Sequence, residues 1–402
     1  MVFQQRVLNS KAVGSAPKVR PVGFKDAEDF GAVGDGVADD THALQNGLDK
    51  GGRVWLKSKR VYRITSSLLL GNKSGFASDG SATLLMASGP DGFNNSVAVR
   101  GDSGIFGRHG TGFRLQGSDI TLSDVFIVKL YEDDRYVIGL DIRESSRVTV
   151  QRVRLRGFSL APGIITIRSS ADVKIISSLI HASCTQSKTV PADLNSFQLT
   201  GISVDDARIN GRETTGLRLS NNVIGDLRMV PVTARKEQSD GINFNGSATG
   251  KDALISGNFI WDVDEGLDLF GADIQVRGNQ VGASGRALKL IHGANKIVVA
   301  DNNFIAGPGG TAIGIYKANP PDKNRQVRDV LIEHNRLAVE GVKSVGLRVD
   351  SGDEFSPTNI IFRDNKLKVG NCKQSALHCV APHCSLEKTN LVEAIGAVVC
   401  GN

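Results

Sequence analysis

Aromatic residues are scarce in this sequence, only 5% of the chain with two Trp and four Tyr, and there are just three Met. With so few rings for stacking, and with Lys and Arg dispersed rather than clustered, the chain lacks the character of a nucleic-acid binder. No apolar run approaches the roughly 18 residues that cross a bilayer, so no membrane span is expected. The opening, MVFQQRVLNSKAVGSAPKVRPVGF, lacks the apolar core of a secretory signal. Helical periodicity is nearly absent after residue 50, which argues against an ordinary α/β domain, and the leucine spacing does not fit a leucine-rich horseshoe.

Glycine, by contrast, is plentiful at 46 residues, and the formal charge of +6 suits a polyanionic partner. Four of the five cysteines, Cys372, Cys379, Cys384 and Cys400, fall in the last thirty-one residues, while Cys184 stands apart. An even local cluster points to disulfides and an oxidising compartment. The alternatives are a zinc site using His378 and His383, although no CxxC pair is present, or reduced structural thiols. The expectation is a secreted or periplasmic protein, with no signal segment in the chain as given.

The chain repeats itself. An apolar-x-apolar-x-x-Asn-x-apolar segment recurs as LRLSNNVI, ALISGNFI, IQVRGNQV, VVADNNFI, VLIEHNRL and IIFRDNKL. Its asparagines are Asn222, Asn258, Asn279, Asn303, Asn335 and Asn365, at intervals of 36, 21, 24, 32 and 30 residues. Period-2 alternation reads as a strand with one buried face, and Asn is suited to a turn position that tolerates left-handed geometry. Stacked Asn amides that hydrogen-bond along a column make an asparagine ladder.

A second segment accompanies each rung: IGLDI, IITI, GISV, DGINF, EGLDL, RALKL, AIGI, VGLRV and ALHC. A small residue marks the corner. Leu140, Ile165, Ile202, Ile242, Leu267, Leu288, Ile313, Leu347 and Leu377 should face inward. The residues that follow them should face out: Asp141, Thr166, Ser203, Asn243, Asp268, Lys289, Gly314, Arg348 and His378. One amphipathic helix is predicted from Thr41 to Leu48, with Asp39 and Asp40 as caps and Gly51-Gly52 as its stop, covering the open end of the solenoid. The fold class is therefore all-β, a right-handed parallel β-helix with an N-terminal capping helix. Residues 1–22 read as an extension and 23–402 as one domain.

The stretch DFGAVGDGVADDTHALQNGLDKGGRVWLKS, Asp29 to Ser58, resembles the opening of the pectate-lyase superfamily, which includes polygalacturonases, other glycan hydrolases and phage tailspikes. With the rungs, the resemblance covers nearly the whole chain. It implies the fold. The superfamily holds hydrolases, lyases, epimerases and binders, so it does not fix the reaction. Gly31, Gly34 and Gly36 read as tight turns, and Asp35, Asp39 and Asp40 as groups that bind neighbouring backbone.

Aligned on the corner, Asp240, Glu265, Arg286 and Thr311 share one column, beside Asn243, Asp268, Lys289 and Gly314. Stacked strands about 4.8 Å apart make them neighbours on one face. Three acids, Asp240, Glu265 and Asp268, thus converge, with Asp262 and Asp264 in the preceding turn. Glycoside hydrolysis needs one carboxylic acid for the leaving oxygen and one carboxylate for water or direct attack, and crowding raises one pKa. Asn243, Asp264, Arg235, Lys236, Arg286, Lys289, His292 and Lys317 are the candidate substrate-binding groups. Trp261 and Tyr316 are the aromatics near the acids.

The order SDGINF, DEGLDLF, GRALKL resembles three motifs of the polygalacturonase family: NTD, paired Asp, and Gly-His-Gly. That matching puts Asp240 at the first Asp, Asp264 and Glu265 at the pair, Arg286 where the family has His, and Lys317 near its basic substrate-binding residue. EGLDL also resembles the acid-Gly-x-Asp segment of tailspike endoglycosidases, which pairs Glu265 with Asp268. Position favours Asp268, which must point outward between Leu267 and Leu269. Loops about Thr185–Thr200 and Asp226–Ser239 precede the two rungs reached across gaps of 37 and 40 residues, and are expected to wall a groove.

The expectation is a glycoside hydrolase acting on an acidic polysaccharide with no cofactor. One alternative is a lyase or epimerase that uses Lys289, Arg286 or His292 on a uronate, the acids then holding Ca²⁺. Another is a non-catalytic glycan binder.

Overall fold

The computed structural model describes residues 19–87, 97–101, 104–130, 137–158, 163–182, 197–205, 212–227, 237–245, 251–317, 325–340, 344–350, 354–369, 377–378, 384–386 and 389–394. The chain winds as a right-handed parallel β-helix, each coil laying strands on successive faces. One face is a continuous parallel ladder running from Lys25–Asp26 through Arg53–Leu56, Thr215–Ser220 and Ala272–Arg277 to Cys384–Leu386. The other faces form a second sheet, in which Phe259–Leu269 and Gln280–Leu290 run unbroken round a corner. The antiparallel pair Val97–Gly101 with Gly104–Leu115 departs from the parallel pattern.

The alternation in the sequence produces this winding. Leu140, Ile165, Ile202, Ile242, Leu267, Leu288, Ile313, Leu347 and Leu377 are paired rung to rung, in the expected register. Eight of these side chains, from Leu140 to Leu347, have no solvent exposure and belong to one core running along the axis. The small corner residue is a packing requirement. A Cβ on Gly241 would lie 2.5 Å from Ile260, and one on Gly266 would lie 2.1 Å from Val281.

The asparagine ladder is present with one correction. Asn222, Asn258, Asn279, Asn335 and Asn365 are buried in one column, but the member between Asn279 and Asn335 is Asn302, not Asn303. In each step the backbone N–H and the Nδ2 of one Asn donate to the Oδ1 of the next, at 2.9–3.0 Å from Asn258 to Asn335. Among the described residues the column runs on to Asn390, and Ser178 stands below Asn222. Left-handed geometry falls on the residue before each ladder Asn: Asn221, Gly257, Gly278, Asp301, His334 and Asp364. Asp301 (φ 59°) thus sets the frame, and Asn303 opens the next strand, paired with Gln280 and Arg336.

The capping helix spans Thr41–Gly51, one turn-end longer than predicted, and buries Leu44, Gly47 and Leu48. Asp39 accepts from the Thr41 N–H at 3.1 Å. Asp40 holds the N-cap position, but its carboxylate turns back to the N–H groups of Val33 (2.6 Å) and Gly34 (3.1 Å). Gly31, Gly34 and Gly36 all have positive φ, as their turn role requires. Cys184, Cys372, Cys379 and Cys400 lie outside the described residues, as does the side chain of Cys384, so the cysteine readings fall there too.

Candidate active site

Parallel pairing assembles the acids as the rung alignment requires. Asp240 lies opposite Glu265, and Asn243 opposite Asp268. One rung on, Arg286 faces Glu265 and Lys289 faces Asp268. Residues forty-nine positions apart, Asp240 and Lys289, thereby meet on one patch, since each rung advances only about 4.8 Å.

The side chains form a charge-rich cluster. Asp240 accepts from Gln238 Nε2 at 3.0 Å and from the Asn243 amide. Glu265 is ion-paired with Arg286 through Oε1 and with Lys289 through Oε2 at 3.1 Å. Lys289 also donates to Asp268 Oδ2 at 2.9 Å. Arg286 donates to the Tyr316 hydroxyl at 2.9 Å and stacks over its ring at 5.2 Å, while Arg348 lies 5.5 Å from the same ring.

These acids point out of the solenoid, yet they are closed to solvent: Asp240 is 0% exposed, and Glu265 and Asp268 3% each. Arg286, with 41% of its side chain exposed, is where the cluster meets water. Burial first, and then the charge of Glu265, push the Asp240 carboxyl up to about 7. Burial likewise lifts Asp268 above the ordinary carboxylate range, against the pull of Lys289. Burial alone would favour the neutral amine of Lys289, but Asp268 and Glu265 outweigh it and raise the pKa.

The other expected site residues divide. Asp264 turns to the corner: it accepts from Ser239 N (3.2 Å), Ser239 Oγ (3.1 Å) and Ser284 Oγ (2.7 Å), tying three rungs together. His292 sits in the turn beyond the strand, edge-on to Phe270 with centroids 4.8 Å apart. Lys317 is exposed just past Thr311–Ile315. Arg235 and Lys236 lie outside the described residues, as does most of each expected wall loop. Residues 197–200 and 237–239 of those loops are strand, pairing with one another. Trp261 lies round the corner, against Phe259 (5.6 Å) and His181 (5.9 Å), in a hollow it shares with Gln280, Ser284 and Glu340. Gln238 and Ser239, which position Asp240 and Asp264, were not expected from sequence; the lone signal for them is their place immediately before the corner.

No family model matches the chain, and no curated protein matches it by sequence. Solved structures do. A Streptococcus pneumoniae surface adhesin superposes with a TM-score of 0.62 at 15% identity, covering 92% of this chain and 100% of its own. The tailspike protein of an Escherichia coli bacteriophage, in complex with a pentasaccharide, gives 0.66 at 12% identity, covering 98% and 73%. An exopolygalacturonase from Thermotoga maritima gives 0.54 at 13%, covering 98% and 94%. The likeness is one of fold. All three share the right-handed parallel β-helix, with a cleaving enzyme and an adhesin among them, so the reaction has to be argued from the side chains.

Proposed function

We propose that the protein is a glycoside hydrolase acting on an acidic polysaccharide, with Asp240, Glu265 and Asp268 as its acid–base machinery. The observation that carries this reading is the charge balance of the buried cluster. Three carboxyl groups share two cations, Arg286 and Lys289, so full ionisation would leave a net negative charge away from water. A proton on Asp240, whose pKa stands near 7, relieves it. Asp240 is then the general acid that protonates the leaving glycosidic oxygen. The ion-paired Glu265 and the neighbouring Asp268 supply the carboxylate that activates water or attacks the anomeric carbon. Arg286, spread on Tyr316 at the mouth, offers its free edge to an anionic sugar.

The cluster gives less support to a lyase or epimerase. Abstraction of a C5 proton needs a neutral amine, and Asp268 and Glu265 hold Lys289 protonated. Ca²⁺ on these acids would first have to displace Lys289 from both. The neighbouring adhesin fold and the closure of the acids to solvent favour a second reading, a glycan-binding solenoid without turnover.

Incubation with a panel of acidic polysaccharides separates the three readings. Saturated reducing ends are the expected products; unsaturated uronate ends would indicate a lyase, intact polymer with inverted C5 centres an epimerase, and unaltered polymer a binder. Asp240→Asn, Glu265→Gln and Asp268→Asn should each abolish turnover. Activity should also fall as pH rises through about 7, where Asp240 gives up its proton.

A further inference from the structure

Upstream of the acids, on the same outer face, the rungs bury a second charged cluster. Arg114 pairs in register with Asp141, and Arg143 with Arg168 on the next strand. Asp141 binds Arg143 directly, with Arg114 Nε 3.9 Å and Arg168 Nη2 4.0 Å away. Arg168 Nε lies 3.3 Å from Asp205 Oδ2, and Asp205 also accepts from Ser203 Oγ at 2.7 Å. Among the described residues, three guanidiniums face two carboxylates.

That arrangement is short of acceptors. Arg114 Nε, Arg143 Nε, and both Nε and Nη2 of Arg168 are buried without a hydrogen-bond partner, four donors against the one buried unbonded acceptor of the cluster, Asp141 Oδ1, which lies 4.0 Å from Arg168 Nη2. The Arg168 side chain is 2% exposed, Arg143 12% and Arg114 25%, so the surplus charge sits under a partly open lip. Like charges on directly neighbouring strands repel, and unmade buried donors are costly. Burial, then Arg143, draw Arg114 below the usual arginine range, the same repulsion seen from one member. One carboxylate- or sulfate-sized anion would balance the charge and satisfy the forks, which suit planar, bidentate acceptors.

We propose that Arg114 and Arg143, backed by Arg168, form a subsite for the carboxylate or sulfate substituent of an acidic glycan. Three rungs, about 14 Å, separate the strand of Arg168 from that of Asp268. The subsite holds the chain several sugars from the reacting bond. It rests on the reading of the acids as a glycan-cleaving site and adds an extended chain held at internal sugars.

Equilibrium binding tests this apart from turnover. Sodium sulfate, monomeric glucuronate and glucose are titrated calorimetrically into the protein and into Arg114→Gln, Arg143→Gln and Lys296→Met, the last an exposed lysine on the other sheet, with sodium chloride matched for ionic strength. Sulfate and glucuronate should bind saturably and compete, while glucose should not bind. Each arginine substitution should weaken binding about tenfold or more, the loss of one charged hydrogen bond, and Lys296→Met should leave it unchanged. Binding of neither anion, sulfate alone binding, or binding indifferent to both arginine substitutions overturns the subsite. Arg114, the most exposed of the three, keeps the test open if Arg143→Gln does not fold, as judged by far-UV circular dichroism. Cleavage of acidic glycans without anion binding here sinks the subsite alone; anion binding without cleavage sinks the hydrolase and leaves the subsite standing.

Discussion

Asp240→Asn should stabilise the protein at neutral pH while removing its activity. The Asp240 carboxyl stands near 7 in the folded chain against an ordinary 3.8. Between those values the unfolded chain has released this proton and the folded chain retains it, so wild-type stability falls as pH rises through that window and levels off above 7. A gap of about three pKa units is worth about 4 kcal/mol. An amide has no such proton to lose, so the variant escapes the decline. The new NH₂ also finds an acceptor: Asn243 Oδ1 is buried without a hydrogen-bond partner, and turning that amide over presents it. The assay is urea unfolding of both proteins from pH 4 to pH 8 at matched ionic strength. The stability difference should move in favour of Asp240→Asn by several kcal/mol across the range. A difference that stays flat with pH, or a variant weaker at pH 8 than at pH 4 relative to wild type, would refute the buried proton and with it the general acid.

Lys289→Met should behave in the opposite sense, because it strips the cation from Glu265 and Asp268 and breaks a buried pair, at a cost of about 3–5 kcal/mol. That deficit should be fully present at pH 8 and shrink towards pH 4, as Asp268, lifted by burial above the ordinary carboxylate range, takes a proton and no longer needs the ammonium; a pH-independent loss would argue against the ion pairs. Asn279→Ala removes the acceptor of the Asn258 N–H and the donor to Ile255 O, and chemical denaturation should show a loss of about 2–4 kcal/mol, against little for Asn303→Ala. Thiol titration under denaturing, non-reducing conditions should find fewer than five free thiols; finding all five would remove the case for an oxidising compartment.

The fold was legible where geometry repeats. An inward Leu or Ile with an outward residue beside it identified the two columns that bring Asp240, Glu265, Asp268, Arg286 and Lys289 together, because register in a parallel stack carries each position onto the next rung. The slip at Asn302 has a local cause. Two consecutive asparagines offer two frames, and only the left-handed turn at Asp301 decides between them. Burial of the outward acids was not legible, since alternation gives a side chain's direction and not what overlies it; Asp268→Asn would leave the Lys289 ammonium, 2.9 Å away, short of a buried counter-charge. Nor was the turn of Asp264 legible: next to Glu265 in sequence, it bonds round the corner to Ser239 and Ser284. The arginine cluster had a signal: the outward residues two beyond Asp141, Thr166 and Ser203 are Arg143, Arg168 and Asp205.

The asparagine column also has a mechanical meaning. Each amide joins its coil to the next through the following Asn and to the one before through a backbone carbonyl, so tension along the axis is borne by one rung-to-rung junction after another. Ladder spacings of 21 residues from Asn258 to Asn279 and 36 from Asn222 to Asn258 would make the coils pay out in unequal lengths. At about 3.5 Å of extended chain per residue, that is on the order of 7 nm for the shorter coil and 13 nm for the longer. The chain is in this sense a stack of fuses in series, and a coil torn from one end leaves the pairing of the coils beyond its neighbour in place.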